Sequence, residues 1–147
     1  MRFWDSSAVV PLLLEEAASD RVRGLHERDR DMLVWWGTLI ECHSGIARRE
    51  REGLIQEAHR TEALRALHEL SLYWTEVEPV TAVRDVAARL VGTHDLRAAD
   101  ALQLAAALVA RAGEPRLLEF VCLDRRLAAA ASKEGLSVLG ERNPGDR

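Results

Sequence analysis

Apolar residues along the chain fall in two rhythms. Short runs at residues 3–5, 33–36, 76–80, 119–123 and 137–139 are bounded by polar residues, and runs of that length predict strands. Between them lie longer stretches of helical period, at 7–14, 17–28, 38–52, 54–72, 82–91, 96–112 and 125–134. Gly53, Gly92, Gly113 and Gly135 each follow the last periodic residue of a helix, with Pro115 just beyond Gly113, and both residue types stop helices for known steric reasons. Strands alternating with helices predict an α/β fold, a three-layer sandwich in which a five-stranded parallel sheet is covered by helices on both faces. Residues 1–140 are expected to form this single domain and residues 141–147, rich in Gly, Pro and charge, a flexible tail.

With 147 residues and 48% hydrophobic content, the chain is long enough to bury a core without disulfides or structural metals. Its N-terminal apolar run, residues 8–14, is far short of the roughly 20 residues that a membrane span needs. A soluble, unprocessed, cytoplasmic protein is expected. Cys42 and Cys122 stand outside any zinc-like spacing and fit a reducing compartment better than a disulfide framework. The net charge of −4 argues against gripping nucleic acid by an overall positive field. It leaves open a nuclease that holds phosphate locally. All basic residues but Lys133 are arginine, whose planar fork suits phosphate, although a compositional bias explains the same excess equally well.

Ligands of open parallel sheets bind outside the carboxyl ends of the strands, so acids that close a strand mark the expected site. Asp5 ends Phe3-Trp4-Asp5, and Asp124 ends Phe120-Val121-Cys122-Leu123-Asp124 and opens the next helix. Each also suits a helix N-cap, and taken singly the cap explains each better. Asp100 is more telling. From residue 98 to 110 its helix is almost wholly Ala, Leu and Val, with Gln103 the other polar side chain. Such a helix is expected to be buried nearly all round, and a carboxylate there needs a cation or a hydrogen-bonding partner. Arg97, three residues away on the same face, is the alternative partner, and Asp95 reads as the N-cap of this helix. Glu41 closes Thr38-Leu39-Ile40-Glu41, which reads as a capping box with the glutamate reaching back to the Thr38 amide. Its helix also starts at the edge where Asp5 lies. Four acids in one cleft repel until a hard cation arrives, and an all-oxygen set suits Mg²⁺ or Mn²⁺. Phosphodiester hydrolysis calls for such a site and for no nucleophilic side chain.

The four segments together resemble the PIN-domain superfamily, and within it the VapC-type toxins of prokaryotic toxin–antitoxin pairs. Phe3-Trp4-Asp5-Ser6-Ser7-Ala8 is similar to the family's first acid with its hydroxyl residues, and Thr38-Leu39-Ile40-Glu41 to its second motif. The run from Leu96 to Ala105 around Asp100 resembles the third motif, and Phe120 to Leu127 around Asp124 the fourth. The likeness spans nearly the whole chain. It implies a PIN-like fold, a Mg²⁺ or Mn²⁺ site with Asp5, Glu41, Asp100 and Asp124 as metal-binding and catalytic residues, and endonucleolytic cleavage of RNA. It further implies homodimers and a small cognate antitoxin that occludes the acidic pocket, often with a basic side chain. Ser7 is implied as a hydrogen-bonding group for a metal-bound water. The family often has Ser or Thr two residues before its last acid, where this chain has Cys122.

Arg48, Arg97 and Arg125 are candidate RNA-binding residues, Arg48 standing with Arg49 and Arg51 in a run whose mixed sign reads equally as a solvated face. Trp35 and Trp36 end a strand near the expected cleft, where core or dimer packing is favoured over base stacking. Glu41, Cys42 and His43 are consecutive and point in different directions on a helix, and the five histidines lack a His-Glu-x-x-His spacing, so zinc is not expected. Two other functions fit parts of the pattern. A Mg²⁺-dependent phosphatase with a strand-end aspartate nucleophile needs a second Asp two residues on, where Ser7 stands. A catalytically silent PIN-like interaction module would use the same acids to bind a partner's arginines.

Overall fold

The computed structural model describes residues 1–113 and 118–140. The chain runs β1 (Arg2–Trp4), α1 (Ser6–Leu13), α2 (Ser19–Arg28), β2 (Met32–Trp35), α3 (Thr38–Arg51), α4 (Glu57–Ser71), β3 (Thr75–Val77), α5 (Thr81–Thr93), α6 (Ala98–Gly113), β4 (Glu119–Val121), α7 (Arg125–Lys133) and β5 (Ser137–Leu139). The five strands form one sheet in the order β3-β2-β1-β4-β5, every pair parallel. Pro115 and the expected tail at 141–147 lie outside the described residues.

Alternation along the strands builds the layers, because successive side chains leave opposite faces of a sheet. Phe3, Leu33, Trp35 and Phe120 enter one core with Val83, Leu90, Leu104 and Leu127, which belong to α5, α6 and α7. Trp4, Met32, Val34 and Val121 enter the other with Val9, Val22, Ile46 and Leu67, from α1, α2, α3 and α4. The sheet is the middle of three layers. Its inner strands are covered on both faces, which is why they read as continuous apolar runs rather than alternating ones.

Differences from the expected boundaries have local causes. The strand expected at 76–80 is shorter, Thr75–Val77, because Pro79 has no amide hydrogen for a ladder. The helix expected to stop at Gly92 continues to Thr93, and His94 closes it with an extended backbone and an amide bond to Leu90 O. Gly53 and Gly135 do end their helices, with φ of +73° and +82°, a region that favours glycine. Among the described residues no helix is long and apolar enough to cross a membrane. Cys42 and Cys122 are both free and buried.

The topology positions the site. The helices α1, α3 and α7 leave β1, β2 and β4 at their carboxyl ends, and the first turn of α6 lines the same crevice. Strand order reverses direction at β1, with β2 on one flank and β4 on the other, and a crevice opens at such a switch point.

Away from this edge, Glu134 ties α5 to the end of α7. It accepts hydrogen bonds from Arg89 Nη2 at 2.7 Å and shares one with His94 Nε2 at 2.8 Å. The Arg89 and His94 hydrogen bonds hold its carboxyl down to about 2. The stabilisation is therefore complete above the ordinary value of 4.5 and is lost as pH falls toward about 2. Glu134→Gln is expected to lower Tm by about 2–4 °C near neutral pH, the shift that ~1 kcal/mol gives a domain of this size, and to matter progressively less in acid. Equal destabilisation at neutral and acidic pH would show that the charge is not what counts.

Candidate active site

Each of the four acids reaches the crevice by its own route. Asp5 is the N-cap of α1, its Oδ2 accepting from the Ser7 amide at 2.9 Å and from the Ser7 hydroxyl. Asp124 is the N-cap of α7, its Oδ1 accepting from the Leu127 amide at 2.9 Å. Both caps are real, and both acids line the cleft as well. The capping box expected at Glu41 is absent. Gly37 caps α3 without a side-chain bond, and Thr38 is already helical and wholly buried. Glu41 Oε2 instead accepts from Ser6 Oγ at 2.8 Å and from Gln103 Nε2 at 3.1 Å.

Asp100 sits in the first turn of α6 and is half-buried, because the nearly unbroken burial of this helix begins only at Ala101. Among the described residues Arg97 makes no ion pair with it. Asp95 lies outside the helix, which starts at Ala98, and faces Arg126 at 3.7 Å rather than capping α6.

The four acids line one cleft of about 740 Å³, together with Ser6, Ser7 and a set of arginines. Burial pushes Asp5, only 3% exposed, up to about 6 against the hydrogen bonds of Ser7, and the charges of Glu41 and Asp100 add to the rise. Glu41 is raised by burial and by the Asp100 charge, opposed by Gln103 and Ser6. Asp100 is raised by burial and by the Asp124 charge, with the charge and backbone amide of Arg97 acting the other way. The acids therefore feel one another across the cleft. The starts of four helices point the same way, and their positive ends favour negative charge there.

Ser7 joins the two central strands at this edge. Its hydroxyl donates to Asp5 and accepts from the amides of Leu123 at 3.0 Å and Asp124 at 3.3 Å, which uses its one hydrogen and both lone pairs. Cys122, where the resemblance leads one to expect a hydroxyl, is buried with its thiol pushed well up by burial. It stands 3.8 Å from Asp5 Oδ2 and 3.4 Å from Asp124 O, so the strong hydrogen bonding here belongs to Ser7.

Among the expected arginines, Arg48, Arg97 and Arg125 line the cleft, and among the described residues none of the three makes an ion pair. Arg49 also lines it but is held by Glu16 and by Gly45 O. Trp35 is buried in the core and Trp36 is 53% exposed, and neither is among the residues that line the cleft. Cys42 is buried while His43 is exposed, in keeping with their different directions on α3.

The donor set fits a hard divalent cation. Asp5 through Oδ2, Glu41 through Oε2 and Asp124 through Oδ1 each take their hydrogen bonds on a single oxygen. The second oxygen of each has no hydrogen bond among the described residues. As the side chains stand, no three His, Cys, Asp or Glu groups among the described residues converge closely enough to hold an ion. That spacing agrees with like charges facing one another across water.

No family model matches the chain. Ribonuclease VapC45 and Ribonuclease VapC49, from two strains of Mycobacterium tuberculosis, are each 31% identical to it over 139 residues, which is 92% of this chain and 92% of each relative. The chain belongs to the VapC ribonuclease family. Solved structures share its fold at lower identity. The FitAcB structure from Neisseria gonorrhoeae has a TM-score of 0.65 at 18% identity, and a toxin–antitoxin complex from Klebsiella pneumoniae 0.64 at 15%, each covering 100% of both chains. The FitAB structure bound to the IR36 DNA fragment has a TM-score of 0.65 at 14%, again over the full length of both chains. The five-stranded all-parallel sheet between helices is thus the architecture that the sequence pattern predicts, and it is PIN-like as the resemblance implies.

In this VapC chain Ser6, Thr38 and Gln103 escaped the sequence reading as site residues. Gln103 carried a signal, being a lone amide in an otherwise apolar stretch, and Ser6 and Thr38 stood within the first two motifs without a role at the cleft being read for them.

Asp5 titration tests the electrostatics. Because its folded value is raised to about 6 from 3.8, the stability it contributes is complete below 3.8 and is lost as pH rises through about 6. Carboxyl ¹³C NMR of the metal-free chain is expected to show Asp5 titrating well above an ordinary aspartate. Ser7→Ala is expected to raise it further and to cost about 1–3 kcal/mol by orphaning two amides. An Asp5 titrating at the ordinary value would refute the buried, hydrogen-bonded placement.

Proposed function

We propose that this chain is a divalent-metal-dependent endoribonuclease and the toxin of a two-protein toxin–antitoxin pair. The observation that carries the proposal is the meeting of Asp5, Glu41, Asp100 and Asp124, from four separated segments, in one cleft. On this reading the four are the ligands of Mg²⁺ or Mn²⁺, offered through the oxygens that the hydrogen bonds leave free. Such an ion, when bound, polarises a phosphoryl oxygen and lowers the pKa of a coordinated water. The protein's own part is to orient the ligands and to hold the RNA. Ser7 and Ser6 keep the Asp5 and Glu41 carboxylates in place, and Arg48, Arg97 and Arg125, which make no ion pair among the described residues, supply guanidinium groups for the phosphates on either side of the cut.

An acidic cleft is also a target for a basic side chain. A small antitoxin that inserts an arginine there would neutralise the acids and exclude RNA. The Klebsiella pneumoniae neighbour, whose structure is a toxin–antitoxin complex, supports that partner. A homodimer and a cytoplasmic location belong to the same proposal. Exposed Trp36, Ile40, Leu72 and Tyr73 offer apolar surface for protein contacts.

The test is cleavage of a mixed RNA pool by the purified chain. Cutting is expected with Mn²⁺ or Mg²⁺ and is expected to stop on adding chelator; cutting that persists in chelator would remove the metal from the mechanism. Asp100→Asn, which deletes a ligand charge but keeps the shape, is expected to reduce the rate by more than the roughly 10–100-fold typical of an outer-shell partner, with an unchanged circular dichroism spectrum. Full activity of that variant would assign Asp100 to the fold alone.

A further inference from the structure

Gln103 is wholly buried on α6, among residues such as Leu104 and Ala105 that fill the core. Burying an amide costs free energy unless its donors and acceptor are met. Both hydrogens of Nε2 have acceptors, Thr38 Oγ1 and Glu41 Oε2, each at 3.1 Å. Its Oε1 is buried and has no partner among the described residues. A side chain selected for stability at this position would be Leu or Met, which fill similar space and orphan no oxygen. Turning the amide over would set Oε1 against the Glu41 carboxylate, acceptor against acceptor. The carboxylate therefore dictates the orientation in which the amide sits.

Two further features connect this amide to the cleft. The Gln103 and Ser6 bonds converge on the same atom, Glu41 Oε2, one from the core and one from the cleft wall. Asp100 lies three residues before Gln103, on the same face of α6. One helix face thus carries one candidate ligand and the support of another.

We infer that Gln103 is a positioning residue of the active site: anchored on Thr38, its amide holds the Glu41 carboxylate by one oxygen and leaves the other free for a divalent cation. This rests on the reading of Glu41 as a metal ligand. Loss of the support leaves Glu41 free to turn, so the ion binds more weakly although every ligand is still present.

The experiment measures Mn²⁺ binding to the whole chain by electron paramagnetic resonance of the free ion, with thermal unfolding in chelator as the control for folding. Gln103→Met is expected to weaken Mn²⁺ binding by roughly 10–100-fold, the range for lost outer-shell partners, with no fall in the chelator Tm. In a Glu41→Ala background the same substitution is expected to change affinity by less than about twofold, because coupled residues do not add. Unchanged affinity in the single variant, or an undiminished loss in the Glu41→Ala background, overturns the inference.

If Gln103→Met does not fold, the side-chain amide resonances of Gln103 in the wild type carry the test. They are expected to shift in Glu41→Ala, and identical resonances in the two proteins overturn the inference. A wild type that binds no Mn²⁺ overturns the metal-ligand reading and this inference together. A wild type that binds Mn²⁺ no better than Gln103→Met overturns this inference alone.

Discussion

Carboxylates gathered in a partly dry cleft face two penalties, loss of water and mutual repulsion, and Asp5 is the residue on which both fall most heavily. Nearly everything at the carboxyl edge answers those penalties. Ser7 donates to Asp5 through both its hydroxyl and its amide, Ser6 and Gln103 donate to Glu41, and the Leu127 amide donates to Asp124. The donors are fixed by α1, α6 and α7, elements whose other faces are locked into two cores. A cleft built this way keeps its acids in place while leaving each with unused capacity for positive charge.

The same edge sorts its arginines. Arg49 is spent on Glu16 and Arg126 faces Asp95, so these two guanidinium groups are engaged within the chain. Arg48, Arg97 and Arg125 line the same cleft, exposed and without an ion pair among the described residues. The cleft thus carries buried negative charge at Asp5 and exposed positive charge at these three arginines. This local sorting is compatible with the proposed phosphate contacts despite a net charge of −4, since both signs occur within a single cleft.

Stable packing and the site share residues, and at Asp5 and Asp124 the two roles coincide. An N-cap carboxylate needs one oxygen for the helix amides, and its second oxygen is then free to serve the cleft. Cap and ligand are thus compatible readings of one residue. At Glu41 they diverge. The capping box suggested by Thr38-Leu39-Ile40-Glu41 does not form, because Thr38 is drawn into the interior to meet Gln103. The glutamate turns toward the cleft, where it accepts from Ser6 and Gln103.

By itself the amino-acid sequence determined the order and type of the elements and the parallel sheet between helices. The elements follow from periodicity and turn residues, and Asp5 and Asp124 stand out by their place at strand ends, all read within a few neighbouring positions. Asp100 stands out in an apolar helix, and Glu41 joins the set through the resemblance of its segment to the VapC motifs. Element boundaries were less legible, because the stop at Gly92 and the end of the strand near Pro79 turn on single competing bonds. Only the tertiary structure decided which oxygen of Asp5, Glu41 and Asp124 is tied, that Arg97 makes no ion pair with Asp100 among the described residues, and that Gln103 serves Glu41. The Ser6–Glu41, Gln103–Glu41 and Ser7–Leu123 bonds span 35, 62 and 116 residues. Partners at such separations are chosen by how the layers pack, a property that no local pattern encodes.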